Sequence, residues 1–139
     1  MNTPSHQLIF HGAIVLLFGL VLGAPYARAI KRGAPASIIN SWRVAHLSLP
    51  IGATLMFAIA AVLPALTVAA LVAWIIAIAL IISSYAFCVS TPLAAITGDR
   101  GLSSDALGWG RLVYLGNMVG AWSSLVAAIT LVYAAFISL

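Results

Sequence analysis

The chain has 139 residues, of which 64% are hydrophobic and only 6% are charged, and its mean hydropathy is +1.19. A soluble domain carries about 25% charged residues because its surface must meet water, so the composition excludes a soluble globule and predicts an integral membrane protein. Six Lys/Arg and two Asp/Glu give a net charge of +4. So few cations, lying beside apolar segments, also exclude a surface that tracks nucleic-acid phosphates.

Four apolar segments follow one another along the chain, at about residues 8–30, 44–63, 67–91 and 107–137. Each has the roughly 20 residues that a helix needs to cross a hydrocarbon core of about 30 Å. None alternates like a barrel strand, and a backbone in lipid must satisfy its own hydrogen bonds. We therefore predict an all-α fold, in which residues 1–139 form a single domain, an integral membrane bundle of four transmembrane helices.

The first segment resembles the apolar region of a signal peptide, but the residues before it contain no Lys or Arg. We therefore expect it to be retained as a helix. It contains Gly19 and Gly23, a spacing that lets helices approach closely. This pair predicts either packing within one bundle or a subunit interface.

Two local features predict the ends of the second helix. Asn40 or Ser41 can cap its start, ahead of Trp42. Residues 64–66 separate it from the third segment and predict a tight turn.

The basic residues predict the orientation of the bundle. All of them flank the first and third connections, which lie on the same side of four spans: Arg28, Lys31, Arg32, Arg43, Arg100 and Arg111. The positive-inside rule places that side in the cytoplasm and both termini on the non-cytoplasmic side. We expect a multi-pass protein of the bacterial inner (cytoplasmic) membrane.

His46 lies near the cytoplasmic end of the second predicted helix, four residues before Pro50. The proline removes the helical hydrogen bond to the carbonyl of His46 and favours a kink. The imidazole is either hydrogen-bonded to a neighbouring carbonyl or a ligand of a metal or haem.

Tyr85 lies seven residues before Pro92, which predicts a depth of about 10 Å from the cytoplasmic end of the third helix. We expect its side chain to reach the same depth as His46. Its phenol needs a partner, either a backbone carbonyl or a ligand. His11 is expected at the opposite, outer end of the first helix, apart from any site that includes His46.

Asn117 lies ten residues past Leu107 in the fourth predicted helix, which places it about 15 Å deep, near the midplane. A hydrogen bond between helices or a contact with a ligand would explain it. Both carboxylates, Asp99 and Asp105, precede this helix. Carboxylate-driven proton transport and general acid–base catalysis are therefore not expected.

Short motifs in all four segments resemble those of the styrene oxide isomerase family. The second segment opens with Trp42-Arg43-Val44-Ala45-His46 and closes with Val62-Leu63-Pro64, similar to the family's W-x-x-A-H and V-L-P runs. The other matches are to the H-G, Y-x-F and R-G-L runs of the family: His11-Gly12, Tyr85-Ala86-Phe87 and Arg100-Gly101-Leu102.

This resemblance implies a four-helix membrane isomerase that assembles as a homotrimer and binds haem b between subunits. It implies that His46 is the axial ligand of the haem and that Tyr85 helps to hold a small lipophilic epoxide. Ferric iron would then act as a Lewis acid on the epoxide oxygen, and a 1,2-hydride shift would give an aldehyde or other carbonyl compound.

The sequence departs from the family at Gly52, where the family has an asparagine six residues after its haem-binding histidine. The departure removes a hydrogen-bond donor to the epoxide, and Asn117 is a candidate to replace it. Two other functions stay open at this point. One is a haem protein for electron transfer, which needs a second axial ligand, and the other is an accessory membrane subunit without a cofactor.

Overall fold

The computed structural model describes residues 3–139. Within that range the chain is helical and has no strand: α1 Pro4–Val21, α2 Gly23–Lys31, α3 Ala36–Val62, α4 Ala70–Thr97 and α5 Trp109–Ile137. Because α1 and α2 meet at Leu22, they form one continuous span, and four segments are long and apolar enough to cross a membrane. The prediction of an all-α fold with four such helices is confirmed. The side of the membrane on which the termini lie stays a prediction.

The helices pack as two antiparallel pairs that meet along α3 and α4. α1 packs along α3 and α5 packs along α4. One buried cluster joins the two pairs near the turn between α3 and α4: Leu8, Met56, Ile59, Ala60, Leu63, Ile76, Ala77, Ala79, Leu80, Ala127 and Ala134. A smaller buried cluster lies towards the other end of α1 and α3: Val15, Leu22, Ala45, Leu49 and Ala53.

The start of α3 corrects the predicted helix cap. Asn40 and Ser41 lie inside α3, which begins directly after Pro35. The Ser41 hydroxyl donates to the carbonyl of Ser37 at 3.0 Å, and the Asn40 side chain accepts from Arg43. The prediction was wrong because the change in hydropathy marks the edge of the apolar segment, while the helix continues beyond it.

α4 also extends further than its apolar segment indicated. It continues through Pro92 to Thr97 and ends at Gly98, whose φ of 73° is the left-handed conformation that glycine favours. Tyr85 is therefore twelve residues from the end of α4, about 18 Å at 1.5 Å per residue. The predicted depth of about 10 Å was wrong because proline is tolerated within transmembrane helices.

The two connections on either side of α4 differ in form. A 3₁₀ turn at Leu63–Ala65 joins α3 to α4, which confirms the predicted turn. Residues 98–108 instead fold back against the first turns of α5. Gly101 approaches so closely that a Cβ atom there would lie 2.6 Å from the backbone nitrogen of Tyr114. This close approach and a φ of 62° both require glycine.

Candidate functional site

His46 is held against α1 by a hydrogen bond to the backbone. Its Nδ1 atom lies 2.9 Å from the carbonyl oxygen of Gly19. A carbonyl can only accept, so Nδ1 carries the proton and Nε2 of the neutral ring keeps its lone pair. Histidines that bind metals usually have their second nitrogen fixed in this way. The sequence left two interpretations of His46 open, a carbonyl partner or a role as a ligand. The two are compatible, because the carbonyl uses Nδ1 and a ligand role would use Nε2.

Two glycines make room for this imidazole and for the kinked segment of α3. A Cβ atom at Gly23 would lie 3.0 Å from Cε1 of His46 and 3.5 Å from Nε2. A Cβ atom at Gly19 would lie 2.5 Å from Cδ of Pro50. The Gly19 and Gly23 pair therefore packs within one bundle, which is the first of the two interpretations of this motif.

Tyr26 is a further residue of this site, and sequence reasoning missed it. Its ring centroid lies 6.0 Å from that of His46, with a 31° angle between the ring planes. Tyr26 follows Gly23 by three residues, a spacing that places both on one face of α2. That spacing is the signal from which its position could have been predicted.

Tyr85 is paired with His11, which corrects the expected position of Tyr85, whereas His11 lies in the first half of α1, apart from His46 as expected. Nδ1 of His11 lies 2.8 Å from the phenol oxygen of Tyr85, and the two rings meet nearly at right angles, at 84°. The phenol thus has a side-chain partner where we expected a carbonyl or a ligand. Tyr85 is 36% exposed on the outer surface of the single chain.

The levels of His46 and Tyr85 differ along the bundle. His46 contacts Gly19, whereas Tyr85 contacts His11, eight residues or about 12 Å earlier in α1. The Ser84 hydroxyl next to Tyr85 bonds to the sulfur of Met56, ten residues beyond His46. The expected common depth is therefore wrong, because α4 extends past Pro92.

Asn117 anchors the connection between α4 and α5. Its Nδ2 atom donates to the carbonyl oxygen of Arg100 at 3.1 Å. Asn117 is only eight residues from the start of α5, and residues 98–108 fold back to meet it. Asn117 therefore lies about 12 Å from the start of α5, and its position relative to the membrane midplane stays a prediction.

A cavity of about 440 Å³ lies between α3, α4 and α5, and Gly52 forms part of its wall. Asn117 lies on the same wall, so the candidate replacement for the missing asparagine does face the same cavity as position 52. His46 and Tyr85 are not among the lining residues, which include Val15, Val44, Ser48, Leu49, Leu55, Leu80, Phe87 and Thr91.

Acidic residues and metal clusters do not contribute to this region. Within residues 3–139, no group of three or more His, Cys, Asp or Glu side chains could hold a metal ion. The Asp99 carboxylate accepts from the backbone nitrogen of Gly101 at 2.8 Å and so shapes the connection. A haem iron needs only one protein ligand, and His46 alone can supply it.

The family model of styrene oxide isomerase matches residues 4–136 of this chain, almost its whole length. The chain belongs to the styrene oxide isomerase family. No curated protein and no solved structure matches it. Family membership confirms the resemblance carried by the sequence motifs, and the name of the family indicates an isomerase that acts on epoxides. The styrene oxide isomerase match includes His46, Tyr85, Asn117 and His11.

Proposed function

We propose that this chain is a membrane enzyme that isomerises a lipophilic epoxide to an aldehyde or another carbonyl compound, with haem b as its cofactor. Family membership supports the reaction class. The observation that supports the cofactor is the hydrogen bond from His46 Nδ1 to the Gly19 carbonyl. This bond leaves the lone pair of Nε2 available to bind a metal.

His46 would hold the haem iron through Nε2, and Gly23 leaves the space that the ring needs in this orientation. When bound, ferric haem supplies a Lewis acid that polarises the epoxide oxygen. The Gly19 carbonyl keeps the imidazole in one tautomer and one orientation.

The reaction itself requires little from acids and bases of the protein. One C–O bond of the epoxide breaks, a hydride moves between the two former epoxide carbons, and a C=O bond forms. Substrate and product are isomers, so no oxidant, reductant or net proton is needed. The absence of carboxylates from helices α1 to α5 suits this chemistry, because the two acidic residues of the chain are Asp99 and Asp105.

The arrangement around α3 favours an active site shared between protomers. Gly52 follows His46 by six residues, so the two positions lie roughly 120° apart around the helix. His46 faces α1 and α2, while Gly52 faces the cavity beside α4 and α5. One protomer does not present both faces to a single substrate, so we propose a homo-oligomer, a trimer by family resemblance.

Tyr85 is a proposed contact of the substrate by family resemblance. Asn117 is a proposed contact because it lies in the cavity wall. The separation of about 12 Å between the levels of His46 and Tyr85 applies between protomers as well, because rotation about the membrane normal preserves depth. This difference in depth does not by itself support contact between Tyr85 and a substrate bound at His46. The substitution Tyr85→Phe would test that contact.

The membrane placement that we propose is the bacterial inner membrane, with both termini outside the cytoplasm. The support is the distribution of the six Lys/Arg residues, all of which lie in or next to the first and third connections. A lipophilic epoxide partitions into a bilayer, so an active site within the membrane meets its substrate there.

The decisive experiment is an absorption spectrum of the protein purified in detergent after expression with added haem. We expect a Soret band that His46→Ala abolishes and His6→Ala, a control at the exposed start of α1, retains. Incubation with styrene oxide should yield phenylacetaldehyde in the wild type. A colourless wild-type protein would refute the cofactor, and a haem-loaded protein that converts no epoxide would refute the reaction.

A further inference from the structure

Gly52 differs from the other glycines within the helices. A Cβ atom placed on most of them would approach a neighbouring side chain or backbone atom at 3.0 Å or less: Gly12, Gly19, Gly23, Gly110, Gly116 and Gly120. A Cβ atom at Gly52 would meet nothing within 4 Å. Helix packing within the chain therefore explains those glycines but not Gly52, where glycine also weakens the helix relative to alanine.

The open space beside Gly52 belongs to the cavity of about 440 Å³. This volume lies within the range of about 300–1,000 Å³ that is typical of pockets for drug-sized ligands. The cavity exists because α3 and α5 both pack on α4 but, in the described part of the chain, have little contact with each other. Any side chain at position 52 would project into this volume.

The polar groups of the cavity wall are mostly bonded to the protein. Ser83 donates to the Gly120 carbonyl at 2.8 Å, Thr91 donates to the Phe87 carbonyl at 2.8 Å, and Asn117 donates to the Arg100 carbonyl. The donor hydrogens of Ser83 and Thr91 and one of the two amide hydrogens of Asn117 point to those carbonyls, and the remaining wall is largely aliphatic and aromatic. The cavity is therefore suited to a hydrocarbon group and poorly suited to a polar one.

We infer that Gly52 is a specificity-determining residue, which leaves room for a second bulky apolar substituent on the epoxide. The inference rests on the proposed epoxide isomerase function. It names the substrate class as epoxides larger than styrene oxide, with hydrocarbon groups on both epoxide carbons. Such a group can pack against the largely aliphatic and aromatic wall through van der Waals contacts and requires no hydrogen bonds.

The test compares two epoxides, styrene oxide and trans-stilbene oxide, in the haem-loaded wild type and in the Gly52→Leu variant. We expect the wild type to convert both, and Gly52→Leu to lower kcat/KM for trans-stilbene oxide at least about tenfold relative to styrene oxide, as steric exclusion does in apolar pockets. Ala58→Leu is the matched control, since Ala58 is exposed on the same helix outside the cavity wall and should leave the ratio unchanged.

A binding measurement separates this inference from the reaction. Deoxybenzoin, the carbonyl isomer of trans-stilbene oxide, should raise the Tm of the wild type and of Ala58→Leu but not that of Gly52→Leu. If the wild type converts neither epoxide but deoxybenzoin gives these Tm shifts, the proposed reaction is refuted, whereas the binding of an apolar group in the cavity is supported. An equal kcat/KM ratio in wild type and Gly52→Leu refutes the inference. Dissociation of the oligomer by Gly52→Leu also refutes it, because a partner subunit would then fill the space.

Discussion

Nδ1 of His11 and the phenol oxygen of Tyr85 lie 2.8 Å apart and join α1 to α4. The contact spans 74 residues of sequence and pairs two polar groups within apolar segments. Because neither group has water to bond in a lipid environment, each satisfies the other. The pair therefore couples the position of the Tyr85 hydroxyl to the first helix of the bundle.

A double-mutant cycle of His11→Phe and Tyr85→Phe should measure this coupling. We expect an interaction free energy of about 0.6 kcal/mol, the average for side-chain hydrogen bonds between transmembrane helices. The free energy of unfolding in mixed detergent provides the measurement. Tyr133→Phe is the control, because Tyr133 is exposed on α5. Strictly additive effects of the two substitutions would show that the pair does not stabilise the bundle.

Gly23→Ala should reduce haem binding while His46 remains in place. The new methyl group would lie 3.0 Å from Cε1 of His46, so the ring must give way by a few tenths of an ångström, which disturbs its hydrogen bond to the Gly19 carbonyl. We expect a lower ratio of Soret to protein absorbance in the purified variant. Ala24→Val adds volume one residue later on an exposed position and should not change the ratio. Full haem occupancy in Gly23→Ala would contradict the importance of this orientation.

Asn117→Ala should loosen the connection between α4 and α5. Loss of the bond to the Arg100 carbonyl lowers the free energy of local opening by about 1 kcal/mol, which corresponds to roughly fivefold faster cleavage. Limited trypsin digestion of the purified protein, with cleavage after Arg100, provides the rate. Ser124→Ala, which alters the same cavity wall away from the connection, should cleave at the wild-type rate.

Cysteine labelling should establish the orientation of the bundle. In a Cys88→Ala background, which removes the single native cysteine, Ser104→Cys lies in the connection before α5 and Ser5→Cys lies at the start of α1. The positive-inside rule predicts that a membrane-impermeant maleimide added to intact cells labels Ser5→Cys alone. Labelling of Ser104→Cys alone would reverse the predicted topology.

The four spans could be predicted from sequence because they depend on hydropathy and length alone. The distance of Tyr85 from the end of its helix could not be predicted, because it was counted from Pro92, whereas α4 continues to Thr97. Pro92 lies inside α4, and residues 98–108 fold back along α5, two features set by packing and by the conformation of Gly98 and Gly101. Local sequence motifs single out His46 as a candidate ligand, a role that stays a prediction, whereas its Gly19 partner depends on a contact across 27 residues.

The hydrogen bond between His46 and the Gly19 carbonyl would also link binding of the proposed haem to helix assembly. The imidazole belongs to the second span and the carbonyl to the first, so the orientation that frees Nε2 exists only when these two spans are docked. Any group that binds this nitrogen in the docked state alone stabilises the docked state by mass action. Docking of the first span and binding of the proposed haem would then be thermodynamically coupled, and a haem-free form would be the one most prone to release its amino-terminal helix.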